Sequence, residues 1–135
     1  MGESGERRIT SPQNERIKAV VRLSKKGGRD ETGLIAIEGA REIARALQAS
    51  VKIGEVYYCP ESVADDEARA LLEPLKARNV PVLQVAPPVF RKIAYRENSG
   101  GFVAVGERPR RGLEDLRGGA GALFLAVDAV EKPGN

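Results

Sequence analysis

Four short apolar segments, separated by stretches with helical periodicity, restrict what this chain of 135 residues can fold into. The segments span residues 33–37, 53–59, 82–85 and 101–105, and each has a length typical of a buried strand. After the first segment, apolar residues recur at the spacing of a helix with one buried stripe, at Ala40, Ile43, Ala44 and Leu47. This alternation predicts an α/β fold. We expect a three-layer α/β/α sandwich, with helices on both faces of a largely parallel or mixed sheet.

Turn-forming residues predict where the elements begin and end. Residues 10–12, Thr-Ser-Pro, combine a capping hydroxyl with a proline suited to a first turn, and predict the start of a helix of about 13 residues. Gly27 and Gly28 predict its end, because glycine adopts the left-handed conformation that closes a last turn. Ser62 is the predicted N-cap of a later helix, which Pro74 must kink or restart. The continuous apolar segment at 33–37 is expected to be a central strand.

The composition excludes several kinds of active site. The chain has no histidine, so no imidazole can serve as a general base or a metal ligand. With a single cysteine, Cys59, the chain cannot form an internal disulfide, and we expect this thiol to be buried and no zinc to be bound. The sequence contains neither an apolar run long enough to span a bilayer nor a secretory signal, so we expect a cytoplasmic protein.

Charge is unevenly distributed along the chain, although the net charge is only +3. Residues 7–41 carry nine cations and four anions, and residues 88–117 carry seven cations and four anions. Between them, residues 53–79 carry three cations and six anions. This pattern predicts a surface that binds a polyanion, and an acidic helix near residues 62–79 that faces solvent.

The cations nominate an RNA-binding surface, because each contact of Lys or Arg with a phosphate releases condensed counterions. On the predicted first helix, Lys18, Arg22, Lys25 and Lys26 lie within one arc. The first group of candidate residues is Lys18, Arg22, Lys25, Lys26 and Arg29, and the second is Arg41, Arg91, Lys92 and Arg96. Tyr95, in a predicted loop, could stack on an unpaired base. The alternative is that these cations only hydrate helix surfaces.

Three stretches in this order resemble the SpoU/TrmH family of RNA 2'-O-ribose methyltransferases, of the SPOUT class. They are residues 9–14 followed by Ile37-Glu38-Gly39, residues 94–105, and residues 127–135. The resemblance implies an N-terminal substrate-binding domain with the α/β/α fold of ribosomal proteins that bind kink-turn RNA. By analogy with those proteins, the turn after the first strand contacts RNA, and this nominates Glu38, Gly39, Arg41 and Glu42.

Composition and the resemblance together indicate how the chain is organised. Residues 107–112, Glu-Arg-Pro-Arg-Arg-Gly, have the proline and glycine typical of a linker. We expect a flexible tail at 1–8, an RNA substrate-binding domain at 9–106, a linker at 107–121 and the truncated start of a knotted methyltransferase domain at 122–135. The first strand of that domain would span residues 122–127, and its first motif would contain Glu131, Pro133 and Asn135. In the family, S-adenosylmethionine and the dimer interface belong to the methyltransferase domain. We therefore expect this chain to be monomeric and inactive, without a cofactor or metal of its own.

Other functions remain open at this point. The chain could instead be a stand-alone module of the ribosomal type that binds structured RNA without enzymatic activity. A strand at 122–127 that joined the sheet of the first domain would favour that alternative. A weaker alternative is a protein-binding adaptor that uses the acidic helix. In the first two cases the expected partner is ribosomal RNA or transfer RNA, and no membrane is involved.

Overall fold

The computed structural model of the chain describes residues 8–96 and 99–128. Its centre is a mixed four-stranded sheet in the order β1-β4-β2-β3. The strands are β1 (Leu34–Glu38), β2 (Ile53–Tyr58), β3 (Val82–Gln84) and β4 (Phe102–Glu107). The helices are α1 (Glu15–Arg22), α2 (Lys26–Thr32), α3 (Ala40–Gln48), α4 (Asp66–Arg69), α5 (Leu72–Ala77) and α6 (Pro87–Ile93). β4 is antiparallel to both of its neighbours, whereas β2 and β3 are parallel, so the predicted mixed α/β fold is confirmed.

The central positions of the sheet belong to β4 and β2, and the prediction that residues 33–37 form a central strand is wrong. β1 pairs only with β4, and Ala36 in its middle is exposed. In β4, by contrast, all residues from Phe102 to Gly106 are buried. An apolar run indicates that both faces of a strand are buried. It does not give the position of the strand in the sheet, because the strand order depends on pairings between distant segments.

Alternate residues of the two central strands enter two separate cores, because successive side chains of a strand point to opposite faces. Val103 and Val105 pack with residues of α1 and α6. Phe102 and Ala104 pack with residues of α3 and α5, and the ring of Phe102 stacks on Tyr58 with the centroids 4.9 Å apart. Helices therefore cover both faces of the sheet. The predicted buried stripe of α3 is confirmed, with Ile43 fully buried at its centre.

The first helix begins later than the sequence indicated. Its N-cap is Asn14, whose side-chain oxygen accepts the N–H of Arg16 at 2.9 Å. The hydroxyl of Ser11 instead accepts the N–H of Gln13 at 3.2 Å, which closes a turn before the helix. The predicted start at Thr10–Ser11 is therefore wrong, because the Asn14 side chain performs the capping.

The same helix also ends before Gly27 and Gly28, and the prediction that these glycines terminate it is wrong. α1 ends at Arg22, and both glycines lie inside α2. A β-carbon on Gly28 would lie 2.3 Å from the backbone oxygen of Arg22. Gly28 is therefore needed where α2 approaches the last turn of α1, and only a residue without a side chain permits that contact.

The acidic segment forms two short helices instead of one. Pro60–Ser62 is a single 3-10 turn, and the N-cap of α4 is Asp65, which accepts the N–H of Ala68 at 2.7 Å. The prediction that Ser62 caps this helix is therefore wrong. Pro74 occupies the third position of α5, within the first turn, where a backbone nitrogen has no partner inside the helix, so it restarts the helix instead of kinking it.

Residues 122–127 form no strand and do not join the sheet. Their large side chains face solvent: the side chain of Leu123 is 94% exposed and that of Leu125 is 88% exposed. A strand at 122–127 within the sheet, which would have favoured a stand-alone module, is therefore not found. The domain limits inferred from sequence stay predictions, and the motif residues Glu131, Pro133 and Asn135 lie outside the described residues. Among the described helices, none is both long and apolar enough to cross a membrane.

The buried hydroxyl of Tyr57 provides a test of the core on the α1 and α6 face. It donates a hydrogen bond to Glu55 Oε1 at 2.6 Å, and burial together with this bond raises the pKa of Tyr57. We expect Tyr57→Phe to lower the free energy of unfolding by about 1.5 kcal/mol, because a bond to a charged acceptor is lost. Urea unfolding measures the change. Tyr58→Phe is the control: its hydroxyl bonds no described residue, so equal losses in the two variants would contradict this account.

Candidate nucleic-acid interface

Glu38, the last residue of β1, connects the sheet to the segment that follows α6. Its carboxylate oxygens accept the N–H of Tyr95 at 2.9 Å and the N–H of Arg96 at 2.8 Å. The next residue, Gly39, has φ +102 and donates its N–H to the carbonyl of Phe102 at 2.9 Å. The ends of β1 and α6 and the beginnings of α3 and β4 therefore meet at one end of the sheet.

Tyr95 is presented to solvent at this end of the sheet. α6 ends at Ile93, and Ala94 has the extended conformation φ −77, ψ 131, which turns the chain away from the helix axis. The side chain of Tyr95 is 92% exposed, although most large aromatic side chains bury much of their surface. An exposed ring on an anchored backbone can stack on an unpaired nucleobase.

Cations lie on both sides of Tyr95. Tyr95 borders two open grooves on the protein surface. Arg91 and Arg96 line the first groove, of about 640 Å³. Arg29 and Lys92 line the second groove, which lies between α1, β1 and α6. This arrangement provides positive charge for phosphates on either side of a base stacked on the ring.

The first group of predicted cations is less uniform than the sequence suggested. Lys25 and Lys26 belong to the start of α2, so the predicted single arc on one helix is wrong. Lys18 forms an ion pair with Glu15, with 2.8 Å between Nζ and Oε1, and this hydrogen-bonded pair lowers the pKa of Glu15. Arg29 donates to the carbonyls of Leu23 and Ser24, both at 2.9 Å, and so closes the end of α1.

Asp30 partly neutralises the same region. It accepts a hydrogen bond from Arg108 at 2.8 Å, and its other oxygen is 3.9 Å from Lys26 Nζ. The hydrogen bond from Arg108 and the charge of Arg108, followed by the charges of Lys26 and Arg29, lower the pKa of Asp30. Among the predicted RNA-binding cations, those that form no ion pair with any other described residue are Arg22, Lys25, Arg29, Arg41, Arg91, Lys92 and Arg96.

Arg41 lines neither of the two grooves beside Tyr95. It is exposed in the first turn of α3 and borders a third groove, which Glu42, Asp65 and Glu67 also line. These carboxylates make that groove acidic, so it favours phosphate less than the surface around Tyr95 does.

The family of the chain follows from its sequence. A family model of the MRM3-like substrate binding domain matches residues 14–104, which contain β1, β2, β3, the first half of β4 and the Glu38–Tyr95 connection. The chain belongs to this family. In the MRM3-like domain the match begins at the N-cap of α1 and ends within β4, so it covers most of both cores.

Solved structures agree with this assignment. The MRM3-like domain is similar to an RNA 2'-O ribose methyltransferase, with 36% identity over 86% of this chain and 43% of that chain, at a TM-score of 0.73. It is also similar to an rRNA methyltransferase from Sinorhizobium meliloti, with 28% identity over 81% of this chain and 39% of that chain, at a TM-score of 0.64. The predicted relationship to SpoU/TrmH methyltransferases is confirmed.

A more distant structure shows the same fold. The SpoU methyltransferase AviRb from Streptomyces viridochromogenes, in complex with AdoMet, is 21% identical over 77% of this chain and 38% of that chain, at a TM-score of 0.61. The chain spans less than half the length of these three proteins. A comparison with curated protein sequences gave no match.

None of the grooves beside Tyr95 and Arg41 is an enclosed cleft of the kind that holds AdoMet. A nucleoside cofactor is normally held in a cleft that buries most of its surface. The grooves beside Tyr95 and Arg41 in the described part of the MRM3-like domain are all open to solvent. Within residues 8–96 and 99–128, no group of three or more acidic or cysteine side chains is arranged to hold a metal ion.

A second basic groove, not predicted from the sequence, lies at the opposite end of the sheet. It is lined by Lys52, Arg108, Arg110 and Arg111, of which Lys52 is 3.7 Å from the Glu107 carboxylate. The signal was present, because three of these arginines lie within four residues of one another. That stretch was interpreted as a linker on account of its proline and glycine.

Proposed function

We propose that this chain is the part of an RNA 2'-O-ribose methyltransferase that binds the RNA substrate, and that catalysis belongs to a further domain. The observation that supports this most is the exposed ring of Tyr95 between two grooves lined by cations. Relatives named as ribosomal RNA methyltransferases make ribosomal RNA the preferred substrate, with transfer RNA as the other candidate. We further propose that the domain holds kinked RNA in the manner of ribosomal proteins that bind kink-turns, ahead of a knotted catalytic domain.

The proposed mode of binding combines two kinds of contact. Phosphates of the RNA contact Arg91, Lys92 and Arg96, and then the cations at the end of α1 and start of α2, with release of counterions. One unpaired base stacks on Tyr95, which every base can do because each has a flat aromatic face. These contacts hold the RNA without reading much of its sequence, so the position of the methylated ribose is set by the shape of the RNA.

Binding of the chain to ribosomal RNA fragments and to transfer RNA, at two salt concentrations, tests this function. We expect micromolar affinity that falls steeply as salt rises. The variant with both Lys25→Ala and Lys26→Ala should bind about three- to tenfold more weakly, because fewer counterions are released from the RNA when phosphate contacts are lost. Fluorescence anisotropy measures both quantities. Affinity that does not depend on salt, or an unchanged affinity in the double variant, would count against RNA binding by this surface.

We also propose that the described residues contribute nothing to the site of the methyl donor. Titration of the chain with S-adenosylmethionine should therefore give no heat of binding beyond dilution in a calorimeter. The grooves of the described residues are open and would bury too little of a nucleoside to hold it. A saturable heat with one-to-one stoichiometry would overturn this part of the proposal.

A further inference from the structure

We propose that Glu38 is a positioning residue, whose carboxylate fixes the turn after α6 so that Tyr95 faces an unpaired base of the RNA. This inference rests on the proposed function, since it explains how the RNA-binding surface is kept in shape. Its basis is the pair of hydrogen bonds from the backbone N–H groups of Tyr95 and Arg96 to the two oxygens of Glu38.

The geometry of these bonds is suited to fixing a turn. Both have the ordinary length of an N–H···O bond, at 2.9 and 2.8 Å, and the two oxygens of Glu38 accept one N–H each, from two consecutive residues. Hydrogen bonds to a charged acceptor are stronger than those between neutral groups. Two such bonds to adjacent peptide units define both the position and the orientation of the turn, whereas one bond would leave it free to rotate.

The charge of Glu38 supports the same conclusion. The carboxylate lines the groove that Arg29 and Lys92 also line, where a negative charge repels phosphate. No ion pair joins Glu38 to any other described residue, so this charge is not offset by a salt bridge. A carboxylate in this place weakens RNA binding by electrostatics alone. Its favourable contribution comes from the two backbone groups that it holds.

Tyr95 needs this support because its ring is not held by packing. With 92% of the side chain exposed, almost none of its surface is in contact with the rest of the chain. Residue Tyr95 is therefore held through its backbone, by Glu38. A turn that is fixed before binding loses less conformational entropy when a base stacks on the ring, and so binds more tightly.

A double-mutant cycle on Glu38 and Tyr95 tests the inference. The probe is a ribosomal RNA stem-loop with 2-aminopurine at an unpaired position, whose fluorescence is quenched when the base stacks. We expect Tyr95→Ala to weaken binding about tenfold and to abolish the quenching. Glu38→Ala should weaken binding about fivefold, and the double variant should bind no worse than Tyr95→Ala, since Glu38 acts through Tyr95. Glu38→Gln, which keeps one acceptor oxygen, should lie between Glu38→Ala and the unaltered chain.

The control for charge is Glu73→Ala. Glu73 is an exposed residue of α5, and its replacement removes the same single negative charge. Electrostatics alone would make both Glu38→Ala and Glu73→Ala bind RNA slightly more tightly. We expect this for Glu73→Ala only, and weaker binding for Glu38→Ala. Equal or tighter binding by Glu38→Ala, or losses that add in the double variant, would overturn the inference.

Amide hydrogen exchange gives a second measurement that needs no RNA and no variant. In the unaltered chain the N–H groups of Tyr95 and Arg96 should exchange at least tenfold more slowly than in an unstructured peptide, because both are hydrogen-bonded. Unprotected amides at both positions would overturn the role of Glu38 even if a Glu38 variant failed to fold. If the unaltered chain binds RNA but Glu38→Ala binds equally well, only this inference fails. If the unaltered chain binds no RNA, the proposed function fails with it.

Discussion

Gly101→Ala should lower the free energy of unfolding by about 3 kcal/mol or more, because two unfavourable effects coincide at this position. Gly101 has φ +80, a conformation that residues with a side chain rarely adopt. A β-carbon there would lie 2.5 Å from a methyl group of Val63 and 2.8 Å from the carbonyl oxygen of Cys59. That carbonyl belongs to the backbone and cannot move away easily, because the N–H of the same residue, Cys59, donates a hydrogen bond to the carbonyl oxygen of Gly101 at 2.9 Å.

Gly100→Ala is the matched control for this prediction. Gly100 has φ +66, but nothing lies within 4 Å of the position that its β-carbon would take. The variant should therefore show only the conformational effect, of about 1 kcal/mol. Urea unfolding of both variants separates the clash at Gly101 from the positive φ. Equal losses in the two variants would mean that the close approach between Gly101 and Cys59 does not exist in solution.

The variant with both Arg91→Ala and Lys92→Ala should bind structured RNA about ten- to thirtyfold more weakly near physiological salt. Both side chains are exposed in the last turn of α6 and form no ion pair with a described residue, so both are free to contact phosphates. They line different grooves, one on each side of Tyr95. The plot of log affinity against log salt should become shallower by about 1.5, which corresponds to two lost phosphate contacts.

A variant with the same change in charge distinguishes a local contact from a general effect of net charge. Lys76→Ala with Arg78→Ala also removes two positive charges, from the end of α5 on the opposite face of the sheet. We expect its affinity for RNA to fall by less than about threefold, because only long-range electrostatics is affected. Similar losses in the two double variants would argue that RNA is attracted by net charge and not bound at α6.

Features that depend on local spacing could be predicted from the sequence. The buried stripe of α3, the strand at β2 and the burial of Cys59 follow from the periodicity and apolar character of short segments, and all are found. Helix caps were predicted less well, because more than one nearby side chain can provide the cap. Three capping side chains lie close together before α1, and the sequence does not indicate that Asn14 is used in place of Ser11.

Features that depend on pairing between distant segments could not be predicted. The order of the strands places β1 at an edge, although its residues are as apolar as those of a central strand. Glu38 and Tyr95 were both singled out, but as separate RNA contacts. They are 57 residues apart, and only the fold shows that the first holds the backbone of the second. Gly28 was interpreted as a helix end, because a close approach between two helices has no signature in a single segment.

The location of the RNA on the protein tests the central claim most directly. In a titration with a ribosomal RNA stem-loop, followed by amide chemical shifts in NMR spectra, the largest changes should fall on Glu38 and Gly39, on residues 91–96, and on the cations at the end of α1 and the start of α2. Residues of α4 and α5 should change little. Shifts confined to α4 and α5, or to the basic groove around Arg110, would contradict the assignment of the Tyr95 surface as the RNA-binding site.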